Sequence, residues 1–286
     1  MKLSGLNTLV TGGSQGFGRH IVEAFLAEGA NVLFCARTAA DVARTLTELA
    51  PKVAQGRQLI GLSCDVSDPA SVAALFARAA TLGRLHAVVN NAGIYGPIGP
   101  TEDVALADWN QAWAVNVTGT LLVCQHAVRA MKPAGGGRII NISGGGATTP
   151  MPRLVAYAAT KAAVVRLTET LAEEYRADGI FVNAVAPGAL RTRFMQQVLA
   201  AGPEKAGAAF YAKNKKWTEE GATDPRLGAA LCVYLASAES EGITGKLISA
   251  QWDPWRDLQK FREELQGDIY TLRRIVPEDR GRKFET

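Results

Sequence analysis

Residues 7–25 read NTLVTGGSQGFGRHIVEAF. A short β-branched run meets a glycine-rich turn, and an apolar pattern at helical spacing follows. Gly12, Gly16 and Gly18 stand in the spacing G-x-x-x-G-x-G. Glycines there let the backbone turn tightly and approach a pyrophosphate, and the helix behind them offers free N–H groups and the positive end of its dipole. A glycine turn alone could be a plain strand–helix connection. The strand–turn–helix context favours the phosphate reading.

The rest of the chain repeats this alternation. NTLVTG, NVLFCA, QLIGLSC, HAVVNN, RIINIS, FVNAVAP and KLISAQ read as strands, separated by amphipathic or alanine-rich stretches of helical length. Continuously apolar strands between helices imply a mainly parallel sheet buried on both faces. Right-handed crossovers make this a doubly wound, seven-stranded α/β fold of Rossmann type. Residues 1–250 are read as one domain, expected to bind a dinucleotide and to carry the catalytic residues. A charged, tryptophan-bearing segment over 251–286 reads as a helical extension of it.

Composition narrows the class. The 286 residues are 48% hydrophobic and 20% charged, with a net charge of +4, an ordinary globular balance. Lys and Arg are dispersed, so neither nucleic acid nor a membrane surface is expected as a partner. The N-terminus runs straight into a strand with no signal-peptide core, and no apolar run is long enough to cross a bilayer. Cys35, Cys64, Cys124 and Cys232, like His20, His86 and His126, lack metal-ligand spacing. Buried free thiols, no metal and a cytoplasmic location are expected.

Residues 155–164, VAYAATKAAV, place one tyrosine and one lysine a helical turn apart in apolar sequence. Alone, the pair reads as a core aromatic and a lysine that snorkels to solvent. A chemical reading is also available. A ketone that accepts a hydride needs a proton, and a phenol with pKa ~10 is a poor acid–base group near neutrality. A neighbouring ammonium would lower that pKa.

Taken together, these pieces resemble the short-chain dehydrogenase/reductase family. TGGSQGFG, CDV at Asp65, NNAG at 90–93, Asn116 within a helix, YAATK at 157–161, and Pro187-Gly188 followed by Thr192 occur in the family's order. The resemblance covers residues 6 to about 250. It implies Tyr157 as proton donor and acceptor. Lys161 would lower its pKa and hold the nicotinamide ribose, and Asn116 would position a relay water. Gly12, Ser14, Gln15, Gly16, Phe17 and Gly18 would line the pyrophosphate turn. Asp65 and Val66 would meet the adenine; Asn90, Ala92 and Gly93 would form a cofactor-side turn; Pro187, Gly188 and Thr192 would close the site.

One position departs from the pattern. The family usually has a serine thirteen residues before the tyrosine, and here that residue is Gly144. Ser143 is the candidate substitute for polarising the substrate carbonyl. It reaches the site if the glycine run shifts the loop, or it faces away because strand neighbours alternate. Thr148 and Thr149 are further candidates.

The second strand carries cofactor choice. NAD sites usually end it with Asp or Glu, which bonds the ribose 2′-hydroxyl. Here Ala36 is followed by Arg37, so no carboxylate repels a 2′-phosphate and a guanidinium stands ready to hold one. NADP(H) is preferred and NAD(H) remains possible, since Gln15 is neutral. The expected activity is NADP(H)-dependent hydride transfer between nicotinamide and a ketone or secondary alcohol. The alternative is a cofactor-binding regulatory protein with little turnover.

After Pro187-Gly188 comes a lid-like segment whose Phe194, Met195, Phe210, Tyr211 and Trp217 could line a pocket or pack helices. In the tail, Asp253-Pro254 reads as an N-cap and first turn. Trp255, Leu258, Phe261 and Leu265 form an apolar stripe before Gly267. The tail is expected to pack on a neighbouring subunit or over the cleft, in a homodimer or homotetramer, with packing on its own domain as the alternative.

Overall fold

The computed structural model describes residues 1–282. The seven apolar runs become β1 (Asn7–Thr11), β2 (Asn31–Ala36), β3 (Leu59–Ser63), β4 (Leu85–Asn90), β5 (Gly137–Ile142), β6 (Ile180–Ala186) and β7 (Leu247–Ser249). Their spatial order is β3-β2-β1-β4-β5-β6-β7 and every pairing is parallel.

The helices are α1 (Gly16–Ala27), α2 (Ala39–Leu49), α3 (Pro69–Ala80), α4 (Leu106–Trp113), α5 (Gly119–Met131), α6 (Val155–Glu174), α7 (Arg193–Ala206), α8 (Ala208–Glu220) and α9 (Pro225–Ala236). Asp68 and Asp224 start α3 and α9: each carboxylate accepts a first-turn N–H, and each is followed by a proline that needs no partner for one. Between Leu106 and Met131 the helical run carries a π-helical turn, Ala114–Thr118, which sets the buried Asn116. Such turns cluster at functional sites.

Alternation along each strand assigns its side chains to two layers. Val10, Phe34 and Val89 pack with α1 and α9, whereas Leu9, Leu33 and Val88 pack with α3 and α5. Both faces are covered, which is why the strands read as unbroken apolar runs. The chain moves outward from β1 to β3, then crosses back to β4 on β1's other side. At such a reversal the crossovers leave opposite faces, and a crevice opens at the carboxyl ends of the strands.

The tail differs from its expected form. Residues 255–261 and 264–266 are 3₁₀ turns, not an α-helix. The Asp253 carboxylate accepts the Ser249 N–H at 2.7 Å instead of capping a helix. Groups of the domain also compete for the tail's backbone: Lys246 Nζ donates to the carbonyls of Gly267 and Ile269 at 2.7 and 3.0 Å. The stripe buries itself within its own domain. Trp255, Leu258 and Leu265 join the core layer of α1 and α9, and the Trp255 indole N–H donates to the Ala250 carbonyl at 3.0 Å. Phe261 stays 44% exposed. The expectation that this stripe covers a partner or the cleft is therefore corrected, and with it goes the tail's argument for a subunit interface. No helix among the described residues is long and apolar enough to cross a membrane.

Candidate active site

A cleft of about 630 Å³ runs along the carboxyl ends of the strands. One end is the turn between β1 and α1. A Cβ on Gly18 would lie 2.2 Å from the Gly12 carbonyl oxygen, and one on Gly12 would lie 3.0 Å from the Ala92 Cα. The three backbones meet so closely that only glycine fits at Gly18. Gln15 caps α1 without a side-chain bond, so first-turn N–H groups stay open to an anion. These features fit a dinucleotide pyrophosphate.

The same turn holds the 90–93 segment. Thr11 Oγ1 accepts the N–H groups of Asn91 and Ala92 at 3.0 and 3.1 Å, and Asn91 Nδ2 donates to the carbonyls of Thr11 and Gly12. Asn91, Ala92 and Gly93 line the cleft. Asn90 does not. As the last residue of β4 it points inward and donates to Asn141 Oδ1 at 2.9 Å and to Cys124 Sγ. The strand's alternation exchanges the two asparagines, and Asn91 takes the place expected of Asn90.

At the end of β2, Ala36, Arg37 and Thr38 line the cleft. Arg37 is exposed and has no acidic partner among the described residues. The nearby Asp41 is paired with Arg44 at 2.7 Å. Thr38 caps α2 without a side-chain bond. A guanidinium, a free hydroxyl and a helix N-terminus thus share one edge. Asp65 and Val66 line the same end, with the Asp65 carboxylate held by the N–H and hydroxyl of Ser67 at 2.9 and 2.6 Å. Ser14, Gln15, Gly16, Phe17, Pro187, Gly188 and Thr192 also line the cleft.

Tyr157 and Lys161 sit on one face of α6 at the cleft floor. Lys161 is 5% exposed. Its Nζ donates to the Ile142 carbonyl at 2.8 Å and lies 5.7 Å from the centre of the Tyr157 ring. Burial brings the ammonium down to about 8. Burial, and then the neighbouring Tyr95, push the Tyr157 phenol well above its ordinary value. In the protein alone, burial thus moves the phenol in the direction opposite to the lowering expected from Lys161.

Asn116 is enclosed behind this pair. Its amide brackets Ile94, accepting the N–H at 2.9 Å and donating to the carbonyl at 2.8 Å, and it also donates to Thr160 Oγ1 at 3.0 Å. A Cβ on Gly93 would stand 3.2 Å from Asn116 Oδ1 and 3.7 Å from Lys161 Nζ, so these groups surround one point. Ser143 lines the cleft but is only 2% exposed, and its hydroxyl donates to the Lys161 carbonyl at 3.4 Å. A Cβ on Gly144 would lie 2.7 Å from the Tyr157 hydroxyl. The position facing the phenol is thus Gly144 itself, while Thr148 and Thr149 are exposed and outside the cleft wall.

The lid segment supplies the opposite wall. Phe194, Met195 and Trp217 line the cleft, and Phe210 and Tyr211 do not. Tyr95 went unnoticed in the sequence. Its ring meets Tyr157 edge-on, with centres 4.6 Å apart, and stacks on Phe194 at 4.4 Å. Its only signal was its place two residues beyond the NNAG turn. All four cysteines are buried and free. Among the described residues, no three His, Cys, Asp or Glu side chains are grouped as metal ligands.

Residues 7–202 match the short chain dehydrogenase family. The chain is 37% identical to a 3-alpha-(or 20-beta)-hydroxysteroid dehydrogenase of Mycobacterium bovis, with 85% of this chain and 87% of that protein covered. It is 34% identical to a short-chain type dehydrogenase/reductase of Picea abies, with 86% and 91% covered. A variant of actinorhodin polyketide ketoreductase, solved with NADPH, superposes with a TM-score of 0.78 at 29% identity, over 86% of this chain and 95% of that one. The chain belongs to the short-chain dehydrogenase/reductase family and is an oxidoreductase of that class.

Proposed function

We propose that this enzyme uses NADP(H) to interconvert a ketone and a secondary alcohol, with Tyr157 as the acid–base group. The observation that carries the reading is the buried Tyr157–Lys161 pair facing one cleft with the open phosphate turn and Arg37. The cofactor, when bound, supplies or takes the hydride. Tyr157 gives its hydroxyl proton to the carbonyl oxygen in reduction and recovers it in oxidation. Burial holds the phenol protonated in the protein alone, and giving up that proton calls for compensating positive charge beside it.

Lys161 places an ammonium beside the phenol and holds the ribose. Asn116, its amide engaged by Ile94 and Thr160, acts as a positioning residue that holds the loop at Ile94 and sets Gly93 beside Lys161. Arg37 and Thr38 take the 2′-phosphate, which favours NADP(H) over NAD(H). The buried free thiols suit a reducing cytoplasm. The substrate is a small carbonyl compound or alcohol. The hydroxysteroid dehydrogenase and the polyketide ketoreductase among the similar proteins support that breadth without selecting within it.

Gly144 favours a second reading, a cofactor-binding protein with little turnover, because the position facing Tyr157 carries no side-chain donor. One experiment separates them. With NADPH and a panel of ketones, the enzyme consumes 340 nm absorbance, and Tyr157→Phe abolishes the consumption while NADPH still binds. Binding without turnover by the wild-type chain would establish the second reading.

A further inference from the structure

Reduction builds negative charge on the carbonyl oxygen. A second hydrogen-bond donor beside the proton donor therefore lowers the barrier. The nearest polar groups are committed elsewhere. The Ser143 hydroxyl bonds the Lys161 carbonyl, the Asn116 amide bonds Ile94 and Thr160, and Thr148 and Thr149 are exposed and outside the cleft lining. Gly144 has no side-chain donor, and a Cβ there would press on the Tyr157 hydroxyl.

Resting on the ketone-reductase reading above, we propose that the Tyr95 hydroxyl is this second donor, so that Tyr95 and Tyr157 hold the substrate oxygen between two phenols. Tyr95 lines the cleft, its ring edge-on to Tyr157, and its hydroxyl has no protein partner among the described residues. Two anchors fix its loop. Ile94, just before it, is bracketed by Asn116, and Gly96, just after it, packs so closely that a Cβ would lie 2.8 Å from the Ala112 Cβ. Phe194 stacks on the outer side of the ring. Burial pushes the phenol up to about 12, so Tyr95 keeps its proton and serves as a donor, not a base. The carbonyl carbon takes the hydride, the oxygen takes the Tyr157 proton, and the Tyr95 proton stays in its hydrogen bond throughout. The stacked Tyr95–Phe194 wall also suits a ketone with a flat apolar substituent on the carbonyl.

The test uses the full chain with NADPH and 1-phenyl-1,2-propanedione as the probe ketone. Tyr95→Phe keeps both ring contacts, so the variant should fold, melt like the wild type and bind NADPH unchanged by fluorescence titration. Its kcat should fall about 100-fold. The kinetic isotope effect with deuterated NADPH should rise, because the chemical step becomes limiting. Phe194→Leu should raise KM for the diketone, since it removes part of the substrate wall.

A Tyr95→Phe enzyme with kcat within threefold of wild type overturns the inference. If Tyr157→Phe is dead while Tyr95→Phe is fully active, only this inference falls. If wild type binds NADPH but does not reduce the probe, or Tyr157→Phe keeps its activity, the reading beneath it falls as well.

Discussion

At the β1–β3 end of the cleft the wall is mostly backbone: the glycine turn, the open N-terminus of α1, and the 91–93 segment pinned by Thr11. At the α7–α8 end it is side chain: Tyr95, Phe194, Met195 and Trp217, drawn from segments about a hundred residues apart in sequence. The first end must present N–H groups to an anion of fixed shape, and backbone approach of that kind demands glycine at fixed spacing. The second end must only exclude water and fit a particular substrate, and many combinations of apolar side chains do that. The two ends therefore answer to different substitutions. Cofactor-end changes should act on affinity, and substrate-end changes on turnover.

Tyr157→Phe tests that division most severely. The variant keeps the ring packing against Tyr95 and removes only the proton donor. Its kcat should fall ~1,000-fold or more, while NADPH affinity, read by fluorescence titration, stays within about twofold. A parallel loss of NADPH affinity would show that the ends are not separable at α6.

Arg37→Ala probes the opposite end. The guanidinium has no acidic partner among the described residues, so its loss is felt chiefly by the 2′-phosphate. A charge-assisted contact of ~1.5–3 kcal/mol corresponds to a shift of roughly ten- to a hundredfold in the NADPH/NADH affinity ratio. The kcat with saturating NADPH should not change. An unmoved ratio would make Arg37 a solvated side chain and remove the basis for NADP(H) preference.

The same division explains what could be read in the sequence. The seven-stranded parallel sheet and the Tyr157–Lys161 floor follow from contiguous patterns: apolar runs, a glycine spacing and a helical i,i+4 pair. What failed depended on direction or on distant partners. Asn90 and Asn91 are adjacent, and only the phase of β4 decides which enters the cleft. The tail's apolar stripe has helical spacing, but it forms 3₁₀ turns that seat Trp255, Leu258 and Leu265 in the core, and Asp253, the expected cap, accepts the Ser249 N–H instead. The Lys161 ammonium was expected to lower the tyrosine, and that expectation omitted burial, which sequence does not display. Tyr95 was missed because one aromatic beyond a turn has no distinguishing pattern. Only its contacts with Tyr157 and Phe194 mark it.

Lys161 has a further consequence, in stability. Its folded pKa of about 8 lies below the ordinary lysine value of 10.5. Below pH 8 both folded and unfolded chains are charged, and the burial penalty applies in full. Between about 8 and 10.5 the unfolded chain holds more protons, so stability rises with pH and the penalty fades. The full penalty is ~3 kcal/mol, offset by the hydrogen bond to Ile142. Lys161→Met should therefore stabilise the protein by ~1–3 kcal/mol at pH 7 in urea unfolding, with the gain shrinking toward pH 10, while catalysis is lost. A destabilised variant at pH 7 would mean that the lysine's bonds outweigh its desolvation.

The smallest effect belongs to Ser143, and it bears on which end of the cleft supplies the second donor. At 3.4 Å its bond to the Lys161 carbonyl is long for a hydroxyl. Removing a bond of that length costs under about 1 kcal/mol, and Ala fills nearly the same space. Ser143→Ala should therefore change kcat by no more than about threefold and leave NADPH affinity intact. A ~100-fold fall in kcat would mean that the hydroxyl turns from the α6 backbone to the substrate oxygen. The turn just after β5 would then carry the second donor in place of Tyr95, and the substrate end would be built, like the cofactor end, from a contiguous stretch of the chain.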